Sequence, residues 1–468
     1  MRFLRTACVL ALACAAAARA QSLEARINVL LGNAQLKGAA VGLDVQEITP
    51  RGPVALFSHD ATLPLGPASN CKLLTTSAAF EKYGATSTFK TCCYRVGPDL
   101  VLIGGGDPGL GDAKICAAAG ETPTTCFAQW AARLQQAGIL RYRDLIVDDR
   151  IFDTQWTHPN WPADQALDWY SAPIGGLNFN ANCLDWTPKL TPQGVGLELL
   201  PPTTYITITN KATKGSTTRV SLIRPAASNK FELRGTIAAS ATTPYSVPIY
   251  DPGLWTGTIL SDTLAAGGIA RTGQIRRAQP AETFPQGQLI ATHETPLLAV
   301  ITRANTNSLN MMAEGLCKRL GFDATGQPGS WQSGTAAVEA YAQSLGVKPE
   351  WIALDDGSGL SRKNKVAART FTTVLAHVAA RPEGEKFIAT LAVPGTDGTL
   401  EKRFKGLAVA DHIHAKTGHI TGVSTLSGYI LSDHRRFAFS ILVNQYQGNV
   451  NPWQDQVCQA IYDWALHN

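Results

Sequence analysis

Pro67-Ala68-Ser69-Asn70-Cys71-Lys72 is the stretch on which the reading of the whole chain turns. Ser69 and Lys72 are three residues apart, so on a helix they share a face, one turn from each other. The run from Leu73 to Phe80 continues a helical pattern, and Gly84 stands where a helix should stop. Ser69 is therefore expected to open the helix, with its hydroxyl near the positive end of the dipole. A serine hydroxyl is a poor nucleophile until a neighbour takes its proton. Lysine does this only where burial or nearby cations lower its pKa. Taken alone, the pair equally fits a surface serine capping a helix beside a solvated lysine.

Two later triplets change the balance. Ser308-Leu309-Asn310 and Lys416-Thr417-Gly418 follow in that order. Ser-x-x-Lys, then Ser-x-Asn, then Lys-Thr-Gly is the motif order of a class of active-site serine enzymes. Each triplet is cheap by chance, whereas the joint order is not.

Length and composition set the frame. A chain of 468 residues is too long for one ordinary core, and two or three domains are expected. With 45% hydrophobic and 16% charged residues it reads as globular rather than disordered. Of the formal net charge of +5, three positive charges are Arg2, Arg5 and Arg19 at the extreme N-terminus. The remainder is close to neutral, which gives no support to a nucleic-acid partner. Arg2 and Arg5, the alanine-rich apolar residues 7–17 and the small-x-small sequence Ala18-Arg19-Ala20 together read as an export signal over residues 1–20, with no transmembrane segment left in the mature chain. Cys14 leaves lipoprotein anchoring as the lesser alternative. Eight cysteines remain after cleavage, and export favours some pairing. Cys116 and Cys126, which flank a short segment containing Pro123, are the expected couple. No C-x-x-C pair has matching partners, so neither a metal site nor a cofactor is expected. Cys71 is read as a small core residue rather than a second nucleophile.

Along the chain, a helix over residues 23–31 and a hairpin over residues 39–57 lead into the Ser69 helix. The texture then turns to short strands. Gly104-Gly105-Gly106-Asp107-Pro108 lacks the Gly-Lys-Ser/Thr of a phosphate loop and is read as a strand end. Trp156, Trp161, Trp169 and Trp186 are expected to pack where subdomains meet, with substrate lining as the alternative. Residues 205–210, 218–222 and 231–236 read as strands of an all-β module. From residue 293 the pattern is helical again, with one long amphipathic run over residues 296–320 that contains Ser308 and Asn310. Three strands and a final helix close the chain. Because the partners of Ser69 lie far downstream, the simplest account is one catalytic domain interrupted by an insertion of about 200 residues, a length that suits one or two small domains.

The sequence resembles the penicillin-binding protein 4 family, the class C low-molecular-mass penicillin-binding proteins, which are exported D-alanyl-D-alanine carboxypeptidases and endopeptidases. The resemblance rests on the three motifs together with Gly106-Asp107-Pro108, Tyr170-Ser171-Ala172-Pro173, Ser308 to Glu314, Asp356-Gly357-Ser358-Gly359-Leu360-Ser361-Arg362, Asp397-Gly398-Thr399-Leu400 and His414 to Gly418. It implies an α+β fold: a transpeptidase/β-lactamase-like domain, an antiparallel sheet flanked by helices, formed by residues 21–85 and 288–468. Two nested, smaller β-rich domains would occupy residues 86–287. It further implies Ser69 as nucleophile, Lys72 as its base, Ser308 as proton relay and Asn310 as a hydrogen-bond partner of the substrate amide. Lys416, Thr417, Gly418 and His419 would edge the cleft. Lys416 and Thr417 would grip the terminal carboxylate there, and the backbone amides of Ser69 and His419 would form the oxyanion hole. Arg362 either faces the cleft or makes a structural ion pair. A nearby Lys416 cation is also expected to help keep Lys72 neutral.

The sequence departs from the family at Leu309, where Asp is usual, and at His419, where Ser or Thr is usual. It departs again around Trp161, where Asp164 or Asp168 would have to take over the grip on a diaminopimelate amine. The expected activity is a periplasmic serine carboxypeptidase or endopeptidase on peptidoglycan peptides, acylated by β-lactams at the same serine. The rivals are a β-lactamase on the same fold and a catalytically silent cell-wall-binding protein.

Overall fold

The computed structural model describes residues 22–467. The expected export signal and Cys14 lie outside the described residues.

The main sheet is antiparallel throughout and draws on both ends of the chain. Its order is Ile413–Ile420, Val423–Leu431, Arg436–Asn444, Ala40–Thr49, Gly52–His59. Side chains along a strand alternate between faces, and here the alternation is filled differently on each. Val41, Leu43 and Val45, with Phe437, Phe439, Ile441 and Val443, bury against helices Leu23–Leu31 and Asn451–Ala465. The opposite face presents Ala438, Leu442 and Tyr429 to a helical layer made from Cys71–Tyr83, Leu297–Asn305, Asn310–Thr325 and Ala368–Ala379. Helix Cys71–Tyr83 runs through the centre of that layer, with every residue from Cys71 to Phe80 buried.

Between the Ser69 helix and Leu297 the chain pairs its longer strands into sheets separate from the main one. Strand Gln288–Pro296, expected in the catalytic part, pairs with Thr88–Val96. It completes a second five-stranded sheet with Asp99–Gly104, Leu145–Asp148 and Ile275–Arg277. Hydrogen bonding thus carries the insertion through Pro296. Inside it lie a three-stranded sheet (Cys183–Thr191, Gly194–Leu200, Tyr245–Pro248) and a four-stranded one that contains Thr207–Asn210, Arg219–Ile223 and Lys230–Ile237. The insertion has its own core, in which Phe127 and Phe179 stack at 5.3 Å beside the fully buried Trp255. The glycine tract after Asp99–Gly104 serves close packing: a Cβ on Gly104 would lie 2.2 Å from the Gly176 carbonyl oxygen.

Two further expectations fail. Residues 296–320 are not one helix: Leu297–Asn305 and Asn310–Thr325 are separated by a break at Thr306–Leu309, where Ser308 takes φ +60°. Asn305, Thr306, Asn307 and Ser308 are residues whose side chains compete with helical hydrogen bonding, and Thr306 Oγ1 donates to the Thr390 carbonyl at 2.7 Å. The eight cysteines from Cys71 to Cys458 are free thiols. Cys116 and Cys126 sit on successive helices, Ala113–Ala118 and Thr125–Gln136, as separate buried thiols. Burial, followed by its negatively charged neighbours, pushes Cys116 up to about 11. Cys126 rises to about 12 through burial first and Cys116 second. Neither is poised as a thiolate.

Candidate functional site

Ser69 lies in a 3₁₀ turn, Ala68–Asn70, that leads into helix Cys71–Tyr83. Two contacts lock this turn onto the main sheet. Asn70 Nδ2 donates to Ser427 Oγ at 2.6 Å, and Ser427 donates onward to Ser440 Oγ at 2.8 Å. Thr425 Oγ1 donates to the Pro67 carbonyl at 2.9 Å. Gly418, between the Lys-Thr pair and His419, lets the edge strand close over the turn. A Cβ there would stand 2.1 Å from Thr425 Oγ1 and 3.0 Å from Ser69 N.

The Asp356 to Arg362 loop covers the other side. Ala68 itself has φ +43°. Gly359, at φ +86°, passes so close that a Cβ would lie 1.8 Å from the Ala68 carbonyl oxygen. Gly359→Ala therefore has both a backbone and a steric penalty. We expect a loss of about 1–3 kcal/mol of stability and slower acylation of Ser69, read by thermal melting and by penicillin labelling. A variant that melts and reacts like wild type would show that the loop yields freely.

The catalytic candidates converge from four segments. Lys72 Nζ donates to Ser69 Oγ at 2.9 Å and to the Ser358 carbonyl at 2.9 Å. Burial brings Lys72 down to about 8, against the opposing charges of Glu314 and Asp356. Lys416 Nζ donates to Ser308 Oγ at 2.9 Å and to the Thr417 carbonyl at 2.7 Å. Its pKa is driven down by burial and then by the charge of Lys72. The sequence reading had Lys416 as a cause of Lys72's depression. Burial is the dominant cause for both, and the repulsion is felt chiefly at Lys416.

The open cleft has a volume of about 440 Å³ and is lined by Ser69, Ser308, Asn310, Arg362 and His419, with Trp169 and Tyr170 from the insertion. Lys72 and Lys416 are fully buried behind that surface, and Thr417 is half-buried and not among the lining residues. Asn310 Nδ2 donates to the Tyr170 carbonyl at 2.8 Å, so its side-chain carbonyl is the group left for a substrate N–H. Arg362 Nη1 donates to the Thr421 carbonyl at 3.0 Å, and Arg362 faces the cleft with no carboxylate partner among the described residues. Leu309 is buried among apolar side chains, so the position that would carry Asp is here a packing position. The His419 side chain is exposed, with Nδ1 3.5 Å from Tyr446 Oη. Asp168 accepts from Tyr170 Oη at 2.7 Å; neither it nor Asp164 is among the cleft-lining side chains.

The tryptophans divide between the two roles considered for them. Trp186 lies in the insertion's core, and the Arg277 guanidinium sits 4.6 Å above the Trp156 ring. Trp169, 42% exposed, lines the cleft. Trp161 reaches across the domain seam, donating from Nε1 to Asp356 Oδ2 at 2.9 Å.

Sequence reasoning gave no role to Glu314 or Asp356. Both lie beneath Lys72, fully buried. The available signal was spacing: Glu314 is four residues after Asn310 and so shares its helix face.

Residues 23–465 match the D-Ala-D-Ala carboxypeptidase 3 (S13) family. The chain belongs to that family. It is 30% identical to the D-alanyl-D-alanine carboxypeptidase of an Actinomadura species, over 98% of this chain and 87% of that one. It is 25% identical to the D-alanyl-D-alanine carboxypeptidase DacB of Haemophilus influenzae over 67% of this chain and 68% of that one. Among solved structures it is similar to penicillin binding protein 4 of H. influenzae, with a TM-score of 0.75 at 23% identity, covering 94% of this chain and 99% of that chain. The same H. influenzae protein is also known in complex with a β-lactam. Membership of the S13 family makes the chain a serine D-Ala-D-Ala carboxypeptidase.

Proposed function

We propose that Ser69 is the nucleophile of an exported, periplasmic peptidase acting on peptidoglycan, and that it cleaves both terminal D-alanine and D-alanyl crosslinks. The observation that carries this is the 2.9 Å contact between Lys72 Nζ and Ser69 Oγ at the wall of an open cleft. Neutral Lys72 takes the hydroxyl proton as Ser69 Oγ attacks the D-alanyl carbonyl carbon. The backbone N–H groups of Ser69 and His419 receive the developing oxyanion. Ser308, held by Lys416, donates its hydroxyl proton to the departing amine and is reprotonated by Lys72, which returns to its neutral form. Water then releases the acyl group, with the same lysine as base. Lys416 has used two of its three N–H donors, and the third, with Thr417, is the proposed holder of the substrate's terminal carboxylate. Arg362 supplies a second cation at the cleft rim.

Since Lys72 must be neutral to act, acylation rates should rise about tenfold per pH unit up to about pH 8 and level off above it. A rate that is flat from pH 6 to 9 would exclude Lys72 as the base. The discriminating assay against a β-lactamase is product release. The enzyme should free D-alanine from a D-Ala-D-Ala peptide over many turnovers while holding benzylpenicillin as a long-lived adduct; rapid turnover of a chromogenic β-lactam without D-alanine release would favour the β-lactamase.

A further inference from the structure

Two carboxylates are buried directly behind the nucleophile, and the mechanism above does not use them. Glu314 Oε2 accepts from Trp331 Nε1 at 2.8 Å and from Gly357 N at 3.0 Å, while Oε1 accepts from Ser358 N at 2.8 Å. The carbonyl of that same Ser358 receives Lys72 Nζ. Asp356 gathers four donors: Trp161 Nε1, Asn364 Nδ2 and the amides of Gly359 and Ser361, at 2.6–2.9 Å. A chain of hydrogen bonds therefore runs from the Glu314 carboxylate through the Ser358 residue to the Lys72 ammonium and on to Ser69 Oγ.

We propose that Glu314 is a positioning residue for the Lys72 base: its carboxylate fixes the residue whose carbonyl orients Lys72, and its negative charge sets the pH at which Lys72 releases its proton. This rests on reading Lys72 as the base. The electrostatic surroundings come from every packed element. Cys71 and Lys72 lie on the nucleophile helix, Cys317 and Lys318 share Glu314's helix, Asp356 is on the covering loop and Lys416 on the edge strand. Lys318 is neutralised by Asp153 at 2.7 Å, and burial keeps both thiols protonated. The charges left to oppose Lys72's burial are those of Glu314 and Asp356. Glu314 is itself pushed up by burial and then by Asp356, so its charge changes within the working pH range. Two neighbouring carboxylates in one dry site resist joint ionisation.

The test is the pH dependence of benzylpenicillin acylation in wild type, Glu314→Gln and Glu314→Asp, using the full folded chain. Loss of a negative charge lowers a lysine's pKa, so in Glu314→Gln the midpoint of the rising limb should move down by about 1–3 pH units. Glu314→Asp retains the charge, and its midpoint should stay near that of wild type even if the rate falls. A Glu314→Gln variant that is slower at every pH with an unmoved midpoint would overturn the proposal, because that is the signature of a merely structural residue. Should Glu314→Gln fail to fold, the wild-type protein with ¹³C-labelled lysine decides. The Lys72 Cε resonance should show two inflections, one of them from the titration of Glu314, which burial and Asp356 push up; a single inflection would overturn the coupling. Failure of the base assignment is separately visible, as undiminished acylation in Lys72→Ala.

Discussion

Ser69→Ala is expected to take up no covalent benzylpenicillin, whereas the wild-type chain should gain one penicilloyl group per molecule by intact-mass spectrometry. This outcome follows from geometry before any family argument. Ser69 and Ser308 are both cleft-wall hydroxyls contacted at 2.9 Å by a buried, pKa-lowered amine, and Ser69 is the one in the turn that opens a buried helix, near the positive end of its dipole. Burial removes much of the ammonium's stabilisation by water, so Lys72 is part-neutral near pH 8 and able to accept a proton. Lys72→Ala retains the nucleophile but loses the acceptor, and acylation should slow by about 10²–10⁴-fold, the usual worth of general-base assistance. That variant also leaves Glu314 and Asp356 buried without their lysine, so its melting temperature must be measured alongside. An adduct that persists in Ser69→Ala, or a wild type that takes up none, would defeat the assignment of the nucleophile.

Much of this arrangement was legible in the sequence, for physical reasons that also mark where legibility stopped. Ser69 and Lys72 were readable because three-residue spacing on a helix is a local property, fixed without knowledge of the rest of the fold. The strands around Lys416 were readable because the period-2 alternation of Phe437, Phe439, Ile441 and Val443 is strong. The break before Asn310 had only a weak local signal, the polar run Asn305 to Ser308 between two apolar-periodic stretches, and nothing in the sequence shows that the side chain of Thr306 is bonded to Thr390. Non-local pairing hid the end of the insertion as well: Gln288–Pro296 looks like any strand, and only its partner, Thr88–Val96, assigns it to the insertion. Glu314 stayed silent because a lone glutamate on a helix is ordinarily a solvated charge. Its burial follows from the meeting of its helix with the Asp356 loop, which is a tertiary event.

The depth of Lys416 alters what its removal should do. An ammonium holding a substrate carboxylate in an open cleft would be partly exposed, yet Lys416 is fully buried and already donates to Ser308 Oγ and to the Thr417 carbonyl. Lys416→Ala thus removes a cation near the carboxylate and also the donor that holds Ser308 Oγ. Each charge-assisted hydrogen bond is worth about 1.5–3 kcal/mol, so kcat/KM for a D-Ala-D-Ala peptide should fall by about 10²-fold, more than for Thr417→Ala. Penicillin acylation should fall with it, since that substrate carries a matching carboxylate. Because Lys416 acts partly through Ser308, the Ser308→Ala, Lys416→Ala double variant should lose much less than the product of the single losses; multiplicative losses would mean that the two side chains work independently. Amidating the substrate's terminal carboxylate separates the other contribution. It should cost the wild type heavily and Lys416→Ala little, as the interaction is already absent there. Equal costs in both proteins would place the carboxylate on another cation, and Arg362 is the one whose guanidinium already lines the cleft.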